Sequence, residues 1–223
     1  MRCRIFAVRG GSPMPMNYSY IAIPDAQVPR ASSPIFQHLL ETYASETNKV
    51  ISVWRCFSAA DMSYKPHPRS RPVLEIFKHQ LLSERRFFGE FLGAPELPPA
   101  EVLPKSEAPA DYTHRMCELA VLRLAFFARQ NEAWWLEPAP FFDVVRPRIW
   151  IFWRRVLHTC HHRTQLTAYL RMMERACAFD LRPDRRRHLD GRRSHPERGS
   201  CRPEVTFQLD FSSLSCPANG RPG

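Results

Sequence analysis

His158 and His162 stand four residues apart in the run VLHTCHHRTQLTAYLRMM, residues 156–173. The run contains no Gly or Pro, so nothing in it forbids a continuous helix. On a helix, side chains four apart lie one turn above the other. Two imidazoles placed so can hold one divalent ion between them, and a third ligand must then come from another element. The competing reading, a pair on the surface or capped in the core, is the commoner fate of two helical histidines. Cys160 and His161 lie two and three residues beyond His158, rotated off the face that the pair shares. Packing or exposure suits Cys160 better than ligation, and His161 is the weaker ligand.

The elements that must position this pair follow from periodicity. Leu157, Leu166, Tyr169, Leu170 and Met173 give the last helix one buried stripe. Its first half, with Ile149, Trp150, Phe152, Trp153 and Val156, is apolar almost all round, as a central helix requires. This helix is expected over 144–173, with Pro147 in its first turn, where a missing N–H costs nothing. Ser33-Pro34 opens a first helix over 33–57. A second runs over 73–92, with Phe77, Leu81, Phe88 and Phe91 on its inner face and Gly93 as its stop. A third, capped by Asp111, covers 111–129, with Met116, Leu119, Leu122, Leu124 and Phe126 among its apolar positions. Between the second and third, residues 94–110 hold five prolines and read as a long crossing loop, which suits a bundle whose consecutive helices are not all neighbours. Residues 132–143 read as a linker whose aromatics, Trp134, Trp135, Phe141 and Phe142, cover one end of the bundle in preference to stacking on a ligand. Glu84, five residues from His79 and so not stacked with it, reads as a surface or interhelical ion-pair residue. The fold class is all-α, a four-helix bundle with long crossing loops and irregular N- and C-terminal extensions.

His158, His162 and Arg163, followed by T-Q-L-T-A-Y-L-R, resemble the final core helix of the DinB-like superfamily. Its members are four-helix bundles that bind a divalent metal through three histidines. The Arg, Gln and Leu-Arg positions match as well as the histidines, and the SYKPHP segment, residues 63–68, resembles a loop of the same family. The resemblance covers about residues 33–173. By itself His79, in the run FKHQLLSERRFF, reads as a polar residue on a helix edge. The resemblance implies that it is the metal ligand of the second helix, so that His79, His158 and His162 form one site; His114 and His161 are its competitors. Three neutral imidazoles leave positions open on an ion, which is the arrangement of a catalytic site. Such an ion can lower the pKa of a bound water or activate a thiolate. The resemblance therefore implies a divalent metal, zinc or nickel on ligand type. It further implies either a metal-dependent hydrolase or an S-transferase using a low-molecular-weight thiol such as bacillithiol, mycothiol or glutathione as cosubstrate. No general base is evident beside the histidines, and the small-molecule substrate is open. The alternative is a metal-binding or structural bundle without turnover, for which a homodimer is one form.

The 223 residues, 44% of them hydrophobic, can bury one sizeable core. A net charge of +10 raises the question of nucleic acid, but its distribution argues against it. The two ends, 1–30 and 177–223, hold +3 each and leave only +4 on the middle. Neither nucleic acid nor a membrane is expected as a partner. The seven cysteines are odd in number and include no CxxC, which argues against a disulfide framework or a zinc knuckle and fits a reducing cytoplasmic setting. No secretory apolar region and no run of 18 apolar residues is present. Three segments follow: an irregular lead-in over 1–30, within which Met14 and Met16 are alternative starts; the bundle over 31–176; and a basic tail over 177–223. The tail lacks an apolar period and is expected to be disordered. A coding frameshift is a further reading of it, testable in the DNA near codons 174–184.

Overall fold

The computed structural model describes residues 20–175; the expectations for 1–19 and 176–223 lie outside the described residues. A 3-10 turn, Pro34–Phe36, leads into helix α1, Gln37–Trp54. Helix α2, Val73–Arg85, continues into a π-helical segment, Arg86–Phe91. Gly93 ends it at φ +71°, where its own amide and that of Ala94 reach back to Gly89 and Phe88. This is the left-handed stop that glycine adopts without steric cost. A short helix α3, Pro99–Val102, interrupts the crossing connection, and α4, Pro109–Ala128, follows. The proline at the start of α4 moves its beginning ahead of Asp111, because Pro is favoured in a first turn.

The aromatic-rich linker is not featureless. It folds as a short helix α5, Glu132–Leu136, and an antiparallel hairpin of β1, Pro138–Phe141, with β2, Val144–Pro147. Helix α6 consequently starts at Arg148 and runs to Met172, with Pro147 as its cap, outside the first turn. The pairing of Phe141 with Val144 leaves a two-residue turn, Phe142–Asp143.

Ring contacts fix the helix directions. Trp54 and Tyr112 both meet Phe77, whereas Tyr43 and Phe127 both meet Phe88. Helices α1 and α2 are therefore antiparallel, and α2 and α4 run the same way. Arg155 bonds the carbonyl of Gln80 while Tyr169 bonds that of Arg71, so α6 opposes α2. An up-down-down-up order needs a long connection between its second and third members, and residues 92–108 supply it.

Apolar residues form two clusters along the bundle. One, with Trp54, Phe77, Leu119 and Leu166, fills the end remote from the hairpin; the other, with Tyr43, Phe88, Phe127 and Phe152, lies under it. Between them sits a layer of buried polar side chains: Glu46, Gln80, Glu84, Arg123, Arg155 and Arg163. Three residues of the expected apolar stripes, Ile35, Leu122 and Leu157, are largely exposed instead. Among the described residues no helix is long and apolar enough to cross a membrane.

Candidate metal centre

α2 and α6 lie side by side, which brings one imidazole of α2 against two of α6. The Nε2 atoms of His158 and His162 are 2.9 Å apart, and those of His79 and His158 are 3.4 Å apart. One ring nitrogen from each of the three lies within 4.8 Å of the other two. Two nitrogens each ~2.05 Å from an ion stand about 2.9 Å apart at a right angle and about 3.3 Å apart at the tetrahedral angle. The His158–His162 and His79–His158 spacings thus suit ligands on one small ion, and for all three to share it the widest separation, up to 4.8 Å, must fall to about 4.1 Å or less. His114 is exposed on α4 and faces Glu118, and His161 is exposed on α6, so neither joins the group.

Two of the three rings, His158 and His162, are oriented from outside the group. Gln165 accepts from Nδ1 of His162 at 3.0 Å through Oε1 and donates to the hydroxyl of Tyr169 at 3.2 Å. That hydroxyl in turn donates to the carbonyl of Arg71. The proton on His162 is thereby placed on Nδ1 and its Nε2 left as a lone pair, the form a metal ligand needs. His158 is held from the other side, where Arg155 Nη1 donates to its Nδ1 at 3.2 Å. Without an ion, the His158 proton then sits on Nε2 and points at Nε2 of His162. One chain of hydrogen bonds runs from Arg155 through both histidines to Gln165, Tyr169 and the α2 approach. The Gln and Tyr of the T-Q-L-T-A-Y run are explained by it.

All three rings are biased to the neutral form. Burial and then the charge of Arg155 push His158 down to about 3. Burial pushes His162 down to about 4 against the raising effect of Gln165. Burial, with Arg71 and Arg155, lowers His79 as well. A neutral imidazole keeps one lone pair: that of His162 is free at Nε2, whereas His158 can offer Nε2 to a cation only when the proton placed there by the Arg155 contact leaves or moves to Nδ1.

Behind the triad lies the part of the site that periodicity and spacing do not reveal. Arg155 is fully buried and also bonds Ser83 and the carbonyl of Gln80. Its Nε stands 3.9 Å from Glu84, which meets Arg123 at 2.9 Å; Arg123 forks onto Glu96 at 2.6 and 2.8 Å. Two guanidinium groups and two carboxylates balance inside the bundle. Burial pushes the Glu96 carboxyl up against the pull of Arg123. Glu84 is an interhelical ion-pair residue with 1% exposure, so the surface option for it is excluded. Gly89 belongs to the same arrangement, because a Cβ there meets Glu96 Cγ at 3.1 Å. An arginine in a sequence reads as surface; only its partners on other helices reveal it as core.

In front of the triad opens a cleft of about 810 Å³. His79 and His158 form its floor, and His162, 8% exposed, stands behind them. The π-helical segment contributes Arg86 and Phe87 to one wall, and the hairpin tip contributes Phe141 and Phe142. Arg154, Leu157 and His161, at helical spacing on α6, line the other side. Of the linker aromatics, Trp135 and Phe141 are packed, as expected, but Phe142 is 59% exposed at the cleft.

A model of the DinB family matches residues 30–179, which spans the whole bundle. The chain belongs to the DinB family. Two crystal structures share the fold. A DinB-like protein from Bacillus cereus superposes with a TM-score of 0.54 at 13% identity, covering 62% of this chain and 93% of that one. A DinB-like protein from Bacillus subtilis gives 0.51 at 19%, covering 62% and 94%. No curated protein matches the chain. The all-α bundle expected from the DinB resemblance is the one observed, and its three-histidine group could hold a metal ion.

Proposed function

We propose that this DinB family protein binds one divalent metal ion, zinc or nickel, through His79, His158 and His162 and turns over a small molecule in the cleft above them. The observation that carries the reading is the convergence of three neutral imidazoles, 2.9 and 3.4 Å apart at Nε2, on the floor of an open cleft. When bound, such an ion supplies Lewis acidity, making a water or a small thiol nucleophilic at neutral pH. The chain's own part is positional. Gln165 and Tyr169 hold the His162 ring, and Arg155 sets the angle of His158. Leu82 and Phe87 supply apolar lining beside the histidines.

Of the two chemistries, transfer of a low-molecular-weight thiol is favoured over hydrolysis. No carboxylate lines the cleft among the described residues, which leaves His161 on its wall as the side chain that could take a proton from water. A thiol, with a far lower pKa than water, needs no such base once it meets a cation. Metal analysis of the purified protein and a thiol-conjugation assay on the same sample test this. One ion per chain with metal-dependent consumption of glutathione or bacillithiol by an electrophile is the expected result. One ion per chain without conjugation or hydrolysis leaves a metal-binding protein, and no ion at all removes the proposal.

A further inference from the structure

The walls of the cleft have a chemistry of their own. Arg86 and Arg154 line it, and among the described residues no acidic side chain does. Arg86 is already tied to Glu90 at 3.1 Å. Arg154 is solvent-exposed, has no carboxylate partner among the described residues, and lies on the same face of α6 as Leu157 and His158, on the wall of the cleft. A charged donor without a partner beside an apolar wall complements an anion.

The apolar wall carries a second mark. Phe142 occupies the first position of the two-residue hairpin turn at φ +52°, a conformation that favours glycine. A ring there costs backbone strain, and 59% exposure gives little burial in return. The ring meets Phe87 and Phe91 edge-on or tilted and lies 5.1 Å from the Arg86 guanidinium. Phe87 and Phe141 continue the surface inward to the histidines. Strained, exposed and aromatic, Phe142 is placed for something that covers it.

We propose that the cleft binds a small organic anion with an aromatic body. The anionic group pairs with Arg154, with Arg86 beside it. The aromatic body lies on Phe142, Phe141 and Phe87 opposite Leu157, and the far end reaches His79 and His158. Only that far end rests on the metal reading; the anion and aromatic contacts do not need an ion.

The test uses the full chain, in chelator-treated and zinc-loaded forms, and three probes of one body: 4-phenylbutyrate, 4-phenylbutan-1-ol and 4-phenylbutylamine. Isothermal titration should rank the carboxylate about tenfold above the alcohol, with the amine weakest, in both forms. Arg154→Gln should remove most of the carboxylate's advantage and leave the alcohol unchanged. Phe142→Ala should weaken carboxylate and alcohol alike. Equal binding of carboxylate and alcohol, preference for the amine, or no binding of any probe overturns the inference. A carboxylate preference that vanishes on chelation also overturns it, because the anion is then a ligand of the ion and the metal reading stands. A preference that persists in protein unable to take up zinc upholds the inference and removes the metal reading.

Discussion

Two levels of one bundle, about two helical turns apart along α2, are built on opposite principles. Around Trp54 the helices meet through carbon: Trp54 stacks on Phe77 with ring centroids 4.1 Å apart, and Tyr112 and Phe57 close the cluster edge-on. Around Glu84 the same helices meet through charge, in the chain Glu96–Arg123–Glu84–Arg155. The first level needs only volume and apolar surface. The second is costly to assemble, since every member must find its partner before it leaves water. What the costly level provides is direction, because Arg155 ends in the hydrogen bond that sets the His158 ring. In this bundle the polar layer is the frame of the histidine group and the aromatic layer is the ballast.

Substitutions separate the two levels. The largest effect is expected from Arg123→Met, which strands the buried Glu96 carboxylate and leaves Glu84 only its 3.9 Å contact with Arg155. Denaturant unfolding should show a loss of about 3–5 kcal/mol. Leu166→Ala, in the aromatic level, should cost about 2–4 kcal/mol through a cavity, and should leave the arrangement of the triad intact. If Arg123→Met costs clearly less than Leu166→Ala, the polar layer is not the frame described above.

A smaller effect separates the levels by pH. The ordinary histidine value is 6.5, and in the fold His158 is pushed down to about 3 and His162 to about 4. The unfolded chain therefore takes up these protons first as the pH falls. Stability of the metal-free protein is full above about 6.5 and declines on acidification through that value towards about 3. Thermal unfolding at pH 7.5 and pH 5 should show the drop, and the double variant His158→Ala/His162→Ala should flatten it. The smallest effect is expected at the cleft surface, where Arg154→Gln should change stability by no more than about 0.5 kcal/mol.

The sequence carries the apolar level openly. Phe77, Leu81 and Phe88 at helical spacing identify the inner face of α2, and Gly93 marks its end. The four-residue spacing of His158 and His162 likewise displays their shared face, since it spans about one helical turn. What periodicity alone leaves out is anything that depends on a partner from another helix. Arg123 and Arg155 look like solvated residues until Glu84 and Glu96 are found against them. The β1–β2 hairpin is masked by three prolines, Pro138, Pro140 and Pro147, which a short two-stranded ribbon tolerates because its edges are unpaired. Leu157 fits the apolar period of α6 yet faces the cleft, since a cleft wall is apolar without being buried. His79 gained its meaning from the family resemblance, and the fold sets its Nε2 3.4 Å from that of His158.

The central claim is that three histidines on two helices share one ion, and metal titration across four alanine variants tests it most directly. Wild-type protein should bind one zinc or nickel per chain. His79→Ala, His158→Ala and His162→Ala should each lose at least about tenfold in affinity, and His161→Ala should lose less than about threefold. Undiminished binding in His79→Ala, or a loss in His161→Ala as large as in the other three, would contradict it.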